Sequence, residues 1–223
     1  MKTSFNIKLI KKYILDVFFP TECPNCHTKN EVFCDNCVDR IKLAPKNDND
    51  NIWSLFDYHD PIIKNAIWEL KYHHKRYLGQ KLGQLLYDSF VEEISDLKTL
   101  STGRSIYVLP VPISKEKIKK RWYNQAYFIA KGFCKSSDKE ILELKNNILY
   151  KKTETIPQAK ISSREKRLKN IQGVFQIKNE KIVKGRTIII IDDVTTTGGT
   201  ILEIMKILKS AGVKEVIGLT IAH

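Results

Sequence analysis

The sequence predicts an α/β protein with a parallel β-sheet, preceded by a small cysteine-rich module. Apolar runs at 105–113 and 187–191 are each followed by a polar loop and then by a helical pattern. This order of strand, loop and helix favours right-handed parallel connections. Four cysteines between Cys23 and Cys37 predict the separate module, and a chain of 223 residues is long enough for both parts.

The elements of the main domain are predicted from the period of their apolar residues. We expect a strand at 53–58, two helices within 62–89 joined by a basic turn at 72–77, a strand at 105–113, the basic loop 114–122, a helix at 123–134, a strand at 187–191, a helix at 201–212 and a strand at 216–221. The run at 187–191 is uninterrupted and apolar, which is typical of a strand buried on both faces.

The cysteines form two closely spaced pairs, Cys23-Pro-Asn-Cys26 and Cys34-Asp-Asn-Cys37. Each pair is spaced to place two thiolates on one tight turn, and four thiolates complete the closed tetrahedral site of structural Zn²⁺. We therefore predict that Cys23, Cys26, Cys34 and Cys37 bind zinc. A redox function of the two pairs is the alternative.

The chain before and after the cysteines suggests a division into two domains. Apolar residues recur at helical spacing from 8 to 19 until Pro20 ends the pattern, and the polar stretch 43–51 is typical of a linker. We place a zinc-ribbon-like module at 1–45 and the main domain at 50–223. Because no apolar run approaches the roughly 20 residues that span a bilayer, we expect a cytoplasmic protein without membrane insertion.

The charge balance favours anionic partners. Lys and Arg number 38 against 25 Asp and Glu, which gives a formal net charge of +13. Such an excess attracts phosphates or nucleic acid without distinguishing between them.

The segment 188–200, IIIIDDVTTTGGT, joins a buried strand to a helix and has the composition of a phosphate-binding loop. Its glycines let backbone N–H groups approach an anion at the positive end of the following helix. The Gly-Lys-Ser/Thr ending of a nucleoside triphosphatase loop is missing. The predicted phosphate-binding residues are Thr195, Thr196, Thr197, Gly198, Gly199 and Thr200.

Two adjacent acids, Asp192 and Asp193, precede this loop. Carboxylates repel a phosphate but accept hydrogen bonds from a ribose diol, so a ligand that carries both groups, such as phosphoribosyl diphosphate (PRPP), satisfies the whole segment. The segment resembles the PRPP motif of the type I phosphoribosyltransferases. The resemblance implies that fold, a twisted parallel sheet with helices on both faces, and implies that Asp192 and Asp193 hold the ribose hydroxyls.

A second resemblance is to the ComF proteins, a competence-associated branch of this fold. The segment 109–126, LPVPISKEKIKKRWYNQA, is similar to a ComF segment in which a basic loop precedes Arg-Gly-Phe-Asn-Gln-Ala, although Trp122 here replaces the glycine. The resemblance implies that Lys115, Lys117 and Arg121 face the diphosphate of PRPP together with Mg²⁺. Leu70-Lys71-Tyr72 is similar to a further ComF sequence, without an assigned role.

The polar segment 150–175 is also similar to ComF and corresponds to a mobile lid in related transferases. Its length and position directly before the PRPP strand suit a loop that excludes water. Lys151, Lys152 and Arg164 in this segment are candidates for catalysis, but no catalytic residue is assigned.

Two functions follow from these resemblances. The first is a PRPP-binding protein of natural transformation and DNA uptake that binds single-stranded DNA and contacts a competence helicase or another DNA-processing protein. The alternative is a Mg²⁺-dependent phosphoribosyltransferase of nucleotide metabolism. Aromatic rings stack on bases, and of the four aromatic candidates we assign Trp53 and Trp68 to the core and leave Trp122 and Tyr123 as candidates. The sequence does not identify the acceptor.

Overall fold

A computed structural model describes residues 21–47, 49–138, 140–152 and 172–223. Five strands form an entirely parallel sheet in the order β1-β7-β6-β2-β3. Two further strands, β4 and β5, pair antiparallel. The strands are β1 Ile52–Phe56, β2 Ile106–Pro110, β3 Leu142–Leu144, β4 Leu149–Lys151, β5 Phe175–Ile177, β6 Thr187–Val194 and β7 Glu215–Ala222.

The first helix of the described residues precedes β1, and the others lie between the strands. They are α1 Asp35–Val38, α2 Pro61–Tyr72, α3 Arg76–Ser89, α4 Val91–Leu100, α5 Lys115–Arg121, α6 Gln125–Lys135, α7 Glu180–Val183 and α8 Gly199–Ser210. Within the described part of the chain, no helix is long and apolar enough to cross a membrane.

The two faces of the sheet bury alternate residues of β6 against different helices, as period-2 strand geometry requires. Ile189 and Ile191 pack in the cluster that contains buried residues of α2, α3 and α6. Ile188 and Ile190 pack in the second cluster, with the apolar side of α8. Helices therefore cover both faces, and the expected fold class is confirmed.

Helices α3 and α6 approach each other closely through two glycines. A Cβ atom on Gly83 would overlap with the backbone of Ile129, and one on Gly132 would overlap with the backbone of Gln80. The close contact fixes α6 on the sheet and with it the start of α6, which borders the site described below.

The cysteine module packs directly on the sheet domain. Cys23, Cys34 and Cys37 are buried and share a cluster with residues of α2 and α3. The Asn65 side chain on α2 donates a hydrogen bond of 2.6 Å to the Pro24 carbonyl. The module therefore supports the helix α2.

Several predicted boundaries differ from the structure. The segment 114–122, expected as a loop, contains the helix α5 because Ser114 caps it by accepting a bond from the Lys117 N–H at 3.2 Å. Strand β6 continues through Asp192 and Asp193 to Val194, since pairing with β7 continues to Ala222. Strands β3, β4 and β5 and helices α1, α4 and α7 were not predicted. The helical pattern at 8–19 and the segment 153–171 lie outside the described residues.

Candidate functional site

A cavity of about 520 Å³ opens at the carboxyl ends of β2 and β6, where ligands bind in parallel α/β sheets. Most of its wall residues come from four parts of the fold. They are the end of β6 with Asp192, Asp193 and Val194, helix α2 with Lys64, Ile67, Trp68, Lys71 and Tyr72, the segment from Val111 to Ala126 with Lys117 and Arg121, and the β4–β5 pair with Lys151, Val174 and Phe175.

The two acids are held in fixed orientations by the backbone of β6. The Asp192 carboxylate accepts a hydrogen bond from the Asp193 N–H, and the Asp193 carboxylate accepts one from the Val194 N–H, each at 2.9 Å. The second oxygen of Asp193 lies 2.9 Å from the Lys71 ammonium, and the two side chains are only 13% and 19% exposed. Lys71 thus forms an ion pair with one of the two acids.

The two carboxyls have opposite pKa shifts. Burial and the charge of Asp193 raise the pKa of Asp192 to about 8. Burial acts in the same direction on Asp193, but the Lys71 ammonium outweighs it and holds the pKa of Asp193 below its usual value. At neutral pH Asp192 is mainly protonated, Asp193 is ionised and Lys71 is charged. Lys71 offsets the charge of Asp193, which reduces the repulsion of an anionic ligand by the acids.

The basic helix α5 places two of its three candidate residues in the cavity wall. Lys117 and Arg121 are one turn apart and line the cavity, whereas Lys115 is exposed and lies outside the lining formed by the described residues. Arg121 donates a bond of 3.2 Å to the Gln125 side chain, and its guanidinium lies 5.4 Å from the centre of the Tyr72 ring. These contacts hold the charge of Arg121 over the cavity.

The candidate phosphate-binding residues of the loop that follows β6 line two different cavities. Thr200 lines the first cavity with the acids. Thr196, Thr197 and Gly198 line a second cavity of about 290 Å³ that also includes His223. The phosphate-binding candidates are therefore not all brought together in one cavity.

The Thr195 hydroxyl shapes this loop from inside. Thr195 is buried and accepts a hydrogen bond of 3.1 Å from the Gly198 N–H. In the absence of a ligand, this N–H therefore bonds within the loop. Gly198 has a φ of +71° at the start of α8, a left-handed conformation that favours glycine.

The candidates in the segment 150–175 have three different outcomes. Lys151 lines the cavity. Lys152 is exposed, and its N–H donates to the Val174 carbonyl at 2.7 Å, which places it in the ladder beside the cavity. Arg164 lies outside the described residues.

The four cysteine sulfurs form a cluster that could hold a metal ion. All of them lie within 4.8 Å of one another, with Cys26–Cys34 and Cys23–Cys34 separations of 3.4 and 3.6 Å. Sulfurs at about 2.3 Å from a tetrahedral metal are roughly 3.8 Å apart. The spacing therefore fits four-sulfur coordination.

Comparison with known proteins agrees with this architecture. Residues 126–222 match the family model of the phosphoribosyl transferase domain. Over 196 residues the chain is 29% identical to competence protein F of Haemophilus influenzae, covering 87% of this chain and 81% of that protein. Most of the chain is thus similar to a competence protein, and its C-terminal part is similar to a phosphoribosyl transferase domain. Two further relatives are competence protein ComFC of Streptococcus pneumoniae, 26% identical over 87% of this chain and 84% of that protein, and DNA utilization protein YhgH of Escherichia coli O157:H7, 25% identical over 86% and 79%.

Trp122 stands at the end of α5, where the similar ComF segment has a glycine. Trp122 has a φ of +65° at the end of α5, a left-handed backbone conformation that favours glycine. This chain adopts a left-handed turn at a tryptophan, which is 73% exposed.

The aromatic assignments need two corrections. Trp68, expected in the core, is 48% exposed and lines the cavity. Tyr123, a candidate for stacking, is buried, and its hydroxyl donates to the Leu70 carbonyl. The sequence did not predict a role for Lys71, because its partner Asp193 is distant in the chain. The similarity of Leu70-Lys71-Tyr72 to a ComF sequence was the signal that could have indicated one.

Proposed function

We propose that this chain binds PRPP in the cavity at the ends of β2 and β6 and acts in DNA uptake. The observation that carries the proposal is the trio of Asp192, Asp193 and Lys71, in which the Lys71 ammonium lies 2.9 Å from the Asp193 carboxylate. It offers fixed carboxyl groups to a ribose diol without repelling the phosphates, which the acid pair alone would do. The names of the relatives, competence proteins and a DNA utilization protein, support the DNA-related role.

In this proposal each wall of the cavity has a separate task. Asp193, oriented by Lys71 and the Val194 N–H, accepts a hydrogen bond from one ribose hydroxyl, and Asp192 bonds the other. Lys117 and Arg121 contact the diphosphate, whose negative charge grows as it leaves. The loop 195–200 receives the 5-phosphate at the start of α8.

The proposal includes two metal ions, Zn²⁺ at the cysteine cluster and Mg²⁺ at the PRPP site. The cysteine cluster would hold Zn²⁺ with four sulfurs, which leaves no open position for substrate and makes the metal structural. At the PRPP site Lys71 already neutralises Asp193, so the acids do not form a carboxylate cage. Mg²⁺ would be held mainly by the phosphate oxygens of PRPP, as is usual for this ion, and would neutralise charge on the diphosphate.

Calorimetry of PRPP binding tests the site. We expect one molecule of PRPP per chain, and a loss of affinity of about tenfold or more in the double variant Asp192→Asn, Asp193→Asn, because hydrogen bonds to a charged group contribute about 1.5–3 kcal/mol. Asp88→Asn, an exposed acid on α3, is the matched control. Unchanged binding in the double variant would show that PRPP does not use this site.

Single-stranded DNA binding follows from the charge and needs its own test. The net charge of +13 favours phosphate contacts whose affinity falls with salt because counterions are released. Fluorescence anisotropy with a labelled oligonucleotide should show affinity falling about twentyfold between about 50 and 200 mM salt, as expected for three neutralised phosphates. Salt-independent binding would contradict the electrostatic origin.

The alternative, a phosphoribosyltransferase of nucleotide metabolism, is favoured by the presence of Lys117, Arg121 and Lys151 in the same cavity. It predicts release of diphosphate from PRPP in the presence of a nucleobase. Measuring this release with nucleobases, amines and single-stranded DNA ends as acceptors separates it from binding alone.

A further inference from the structure

Helix α5 is a short helix that has no buried side. None of its residues is buried, whereas every other helix in the described part of the chain buries at least one residue. Helices in proteins gain most of their stability from packing an apolar face, so α5 gains little from the core. Core packing does not explain this helix, and its outward side is a candidate contact surface.

The side chains of α5 form two neighbouring stripes with different surroundings. Lys117 and Arg121 are four residues apart and line the cavity. Ile118 and Trp122 are also one turn apart, and the Trp122 N–H donates a bond of 2.6 Å to the Ile118 carbonyl. These two side chains are 45% and 73% exposed, and neither belongs to the cavity lining formed by the described residues. The second stripe is therefore an exposed apolar strip outside the PRPP site.

Two properties of Trp122 are unfavourable for the free protein. Its φ of +65° is a left-handed conformation that strains a residue with a Cβ atom. Its exposed fraction is the largest among the exposed large apolar side chains of the described residues, although tryptophan is usually well buried. Within the described part of the chain, no other aromatic ring contacts the indole. A strained and exposed aromatic residue of this kind indicates a function in binding.

Positive charge borders the stripe of Ile118 and Trp122. Helix α5 carries five basic residues and one acid, Glu116. Two of the basic residues, Lys115 and Lys119, are exposed and four residues apart, so they lie together beside the apolar stripe. The exposed side of α5 therefore combines an aromatic ring, an aliphatic side chain and positive charge.

This combination decides between three classes of partner. The cores of protein interfaces are depleted of lysine, and a helix that lies on a membrane needs a wide apolar face, which two apolar residues do not provide. A single DNA strand has unpaired bases that stack on an aromatic ring and phosphates that contact lysines. In duplex DNA the faces of the bases are covered by their neighbours. A single strand is therefore the partner that fits the exposed side of α5.

We propose that Trp122 stacks on a base of single-stranded DNA while Lys115 and Lys119 contact the adjacent phosphates. Ile118 extends the apolar contact beside the ring. The proposal rests on the DNA-binding part of the proposed function and assigns that binding to the exposed side of α5, outside the PRPP cavity. The glycine of the similar ComF segment has no side chain for this contact, so the contact belongs to the tryptophan of this chain.

Fluorescence anisotropy with a labelled oligothymidine and an abasic strand of equal length tests the stacking contact. Trp122→Leu keeps apolar bulk without a ring and should weaken oligothymidine binding by about 5- to 150-fold, the range for loss of one stacked base. Binding of the abasic strand should change less than about twofold, and Trp122→Phe should recover most of the affinity. Leu43→Ala is the control and should change neither strand, because Leu43 is 71% exposed and lies outside α5.

The variant Trp122→Gly separates the contact from the fold. Glycine adopts the φ of +65° without strain, so the melting temperature of this variant should be no lower than that of the wild type. Its affinity for oligothymidine should nevertheless fall as in Trp122→Leu. A variant that melts at a lower temperature and loses both strands equally would identify a structural role for Trp122 and overturn the proposal.

The double variant Lys115→Gln, Lys119→Gln tests the phosphate contacts. It should weaken both strands and reduce the slope of log affinity against log salt by about 1.4, since each phosphate contact on a single strand contributes about 0.7. The matched control is Lys206→Gln, Lys209→Gln, which removes the same charge from two exposed lysines of α8 and should leave the slope unchanged.

The outcomes distinguish this proposal from the proposed function. Oligothymidine affinity that neither Trp122→Leu nor the double lysine variant lowers would overturn the proposal and leave DNA binding elsewhere on the chain intact. A wild-type protein that does not bind oligothymidine would refute DNA binding itself. Calorimetry should show wild-type PRPP affinity in Trp122→Leu, because Trp122 lies outside the described cavity lining. A parallel loss of PRPP affinity would place Trp122 in the PRPP site and overturn the proposal.

Discussion

Replacing Lys71 by methionine removes the ammonium but keeps most of the length of the side chain. The ammonium is 2.9 Å from the Asp193 carboxylate and both side chains are less than one-fifth exposed. At an effective dielectric constant of about 20, charges at the 2.9 Å separation attract each other by about 6 kcal/mol. Desolvation of the two groups offsets part of this attraction, and loss of one partner of a buried pair costs about 3–5 kcal/mol.

The expected result is a fall of about 3 kcal/mol in the free energy of unfolding at pH 8, measured by urea denaturation. Without Lys71, burial and the neighbouring acid raise the pKa of Asp193, so the variant gains stability by protonation as the pH falls. The loss should therefore be smaller at pH 5 than at pH 8. PRPP affinity should fall as well, since the carboxyl loses its orientation and its charge compensation.

Two further variants isolate the ion pair. The double variant Lys71→Met, Asp193→Asn removes both charges and should recover much of the lost stability, because no buried charge is left unpaired. Lys64→Met replaces an exposed lysine on the same helix and should change stability by less than about 0.5 kcal/mol. A Lys71→Met variant as stable as wild type, or a double variant no more stable than the single one, would refute this explanation of the trio.

Three other predictions follow from the fold and the site. The folded-state pKa of Asp192 is raised to about 8, so this group lowers the free energy of unfolding by up to about 1.4 kcal/mol per pH unit as the pH rises from 5 to 7. Urea denaturation should show that Asp192→Asn removes this pH dependence. An unchanged dependence of stability on pH would contradict the shift. Removal of metal by a chelator, or the variant Cys34→Ser, should lower the melting temperature by roughly 6 °C or more. Cys134→Ser, which lies outside the cluster, should leave it unchanged. A melting temperature that neither the chelator nor Cys34→Ser lowers would exclude a structural metal. Gly132→Ala should destabilise the protein by about 1–3 kcal/mol through overlap with Gln80. Gly103 has a positive φ but open space around it, so Gly103→Ala tests conformational strain alone. A smaller loss of stability at Gly132 than at Gly103 would contradict the close packing of α3 on α6.

The sequence was sufficient where the signal is local and long enough to show a period. Strands β2, β6 and β7 and helices α2, α3, α6 and α8 were predicted within a few residues. The cysteine cluster was predicted because two pairs with the same short spacing leave few other arrangements. Short elements such as β4 and β5 were missed because three residues contain too little of a period.

The site was predictable in its location but not in its contacts. Asp192 and Asp193 lie where a strand–loop–helix order places them, at the carboxyl end of a central strand. The pairing of Asp193 with Lys71 joins β6 to α2 and depends on tertiary packing. The same packing leaves Trp68 at a cavity wall, although large aromatic residues are usually buried, and turns the Gly198 N–H inward to Thr195.

A crystal structure of the complex with PRPP tests the central claim most directly. We predict that the ribose hydroxyls bond to Asp192 and Asp193, that the diphosphate lies against Lys117 and Arg121, and that the 5-phosphate lies at the loop 195–200. Electron density for PRPP away from β6, or a complex in which Lys71 and Asp193 have no contact with the ribose side of the site, would contradict it.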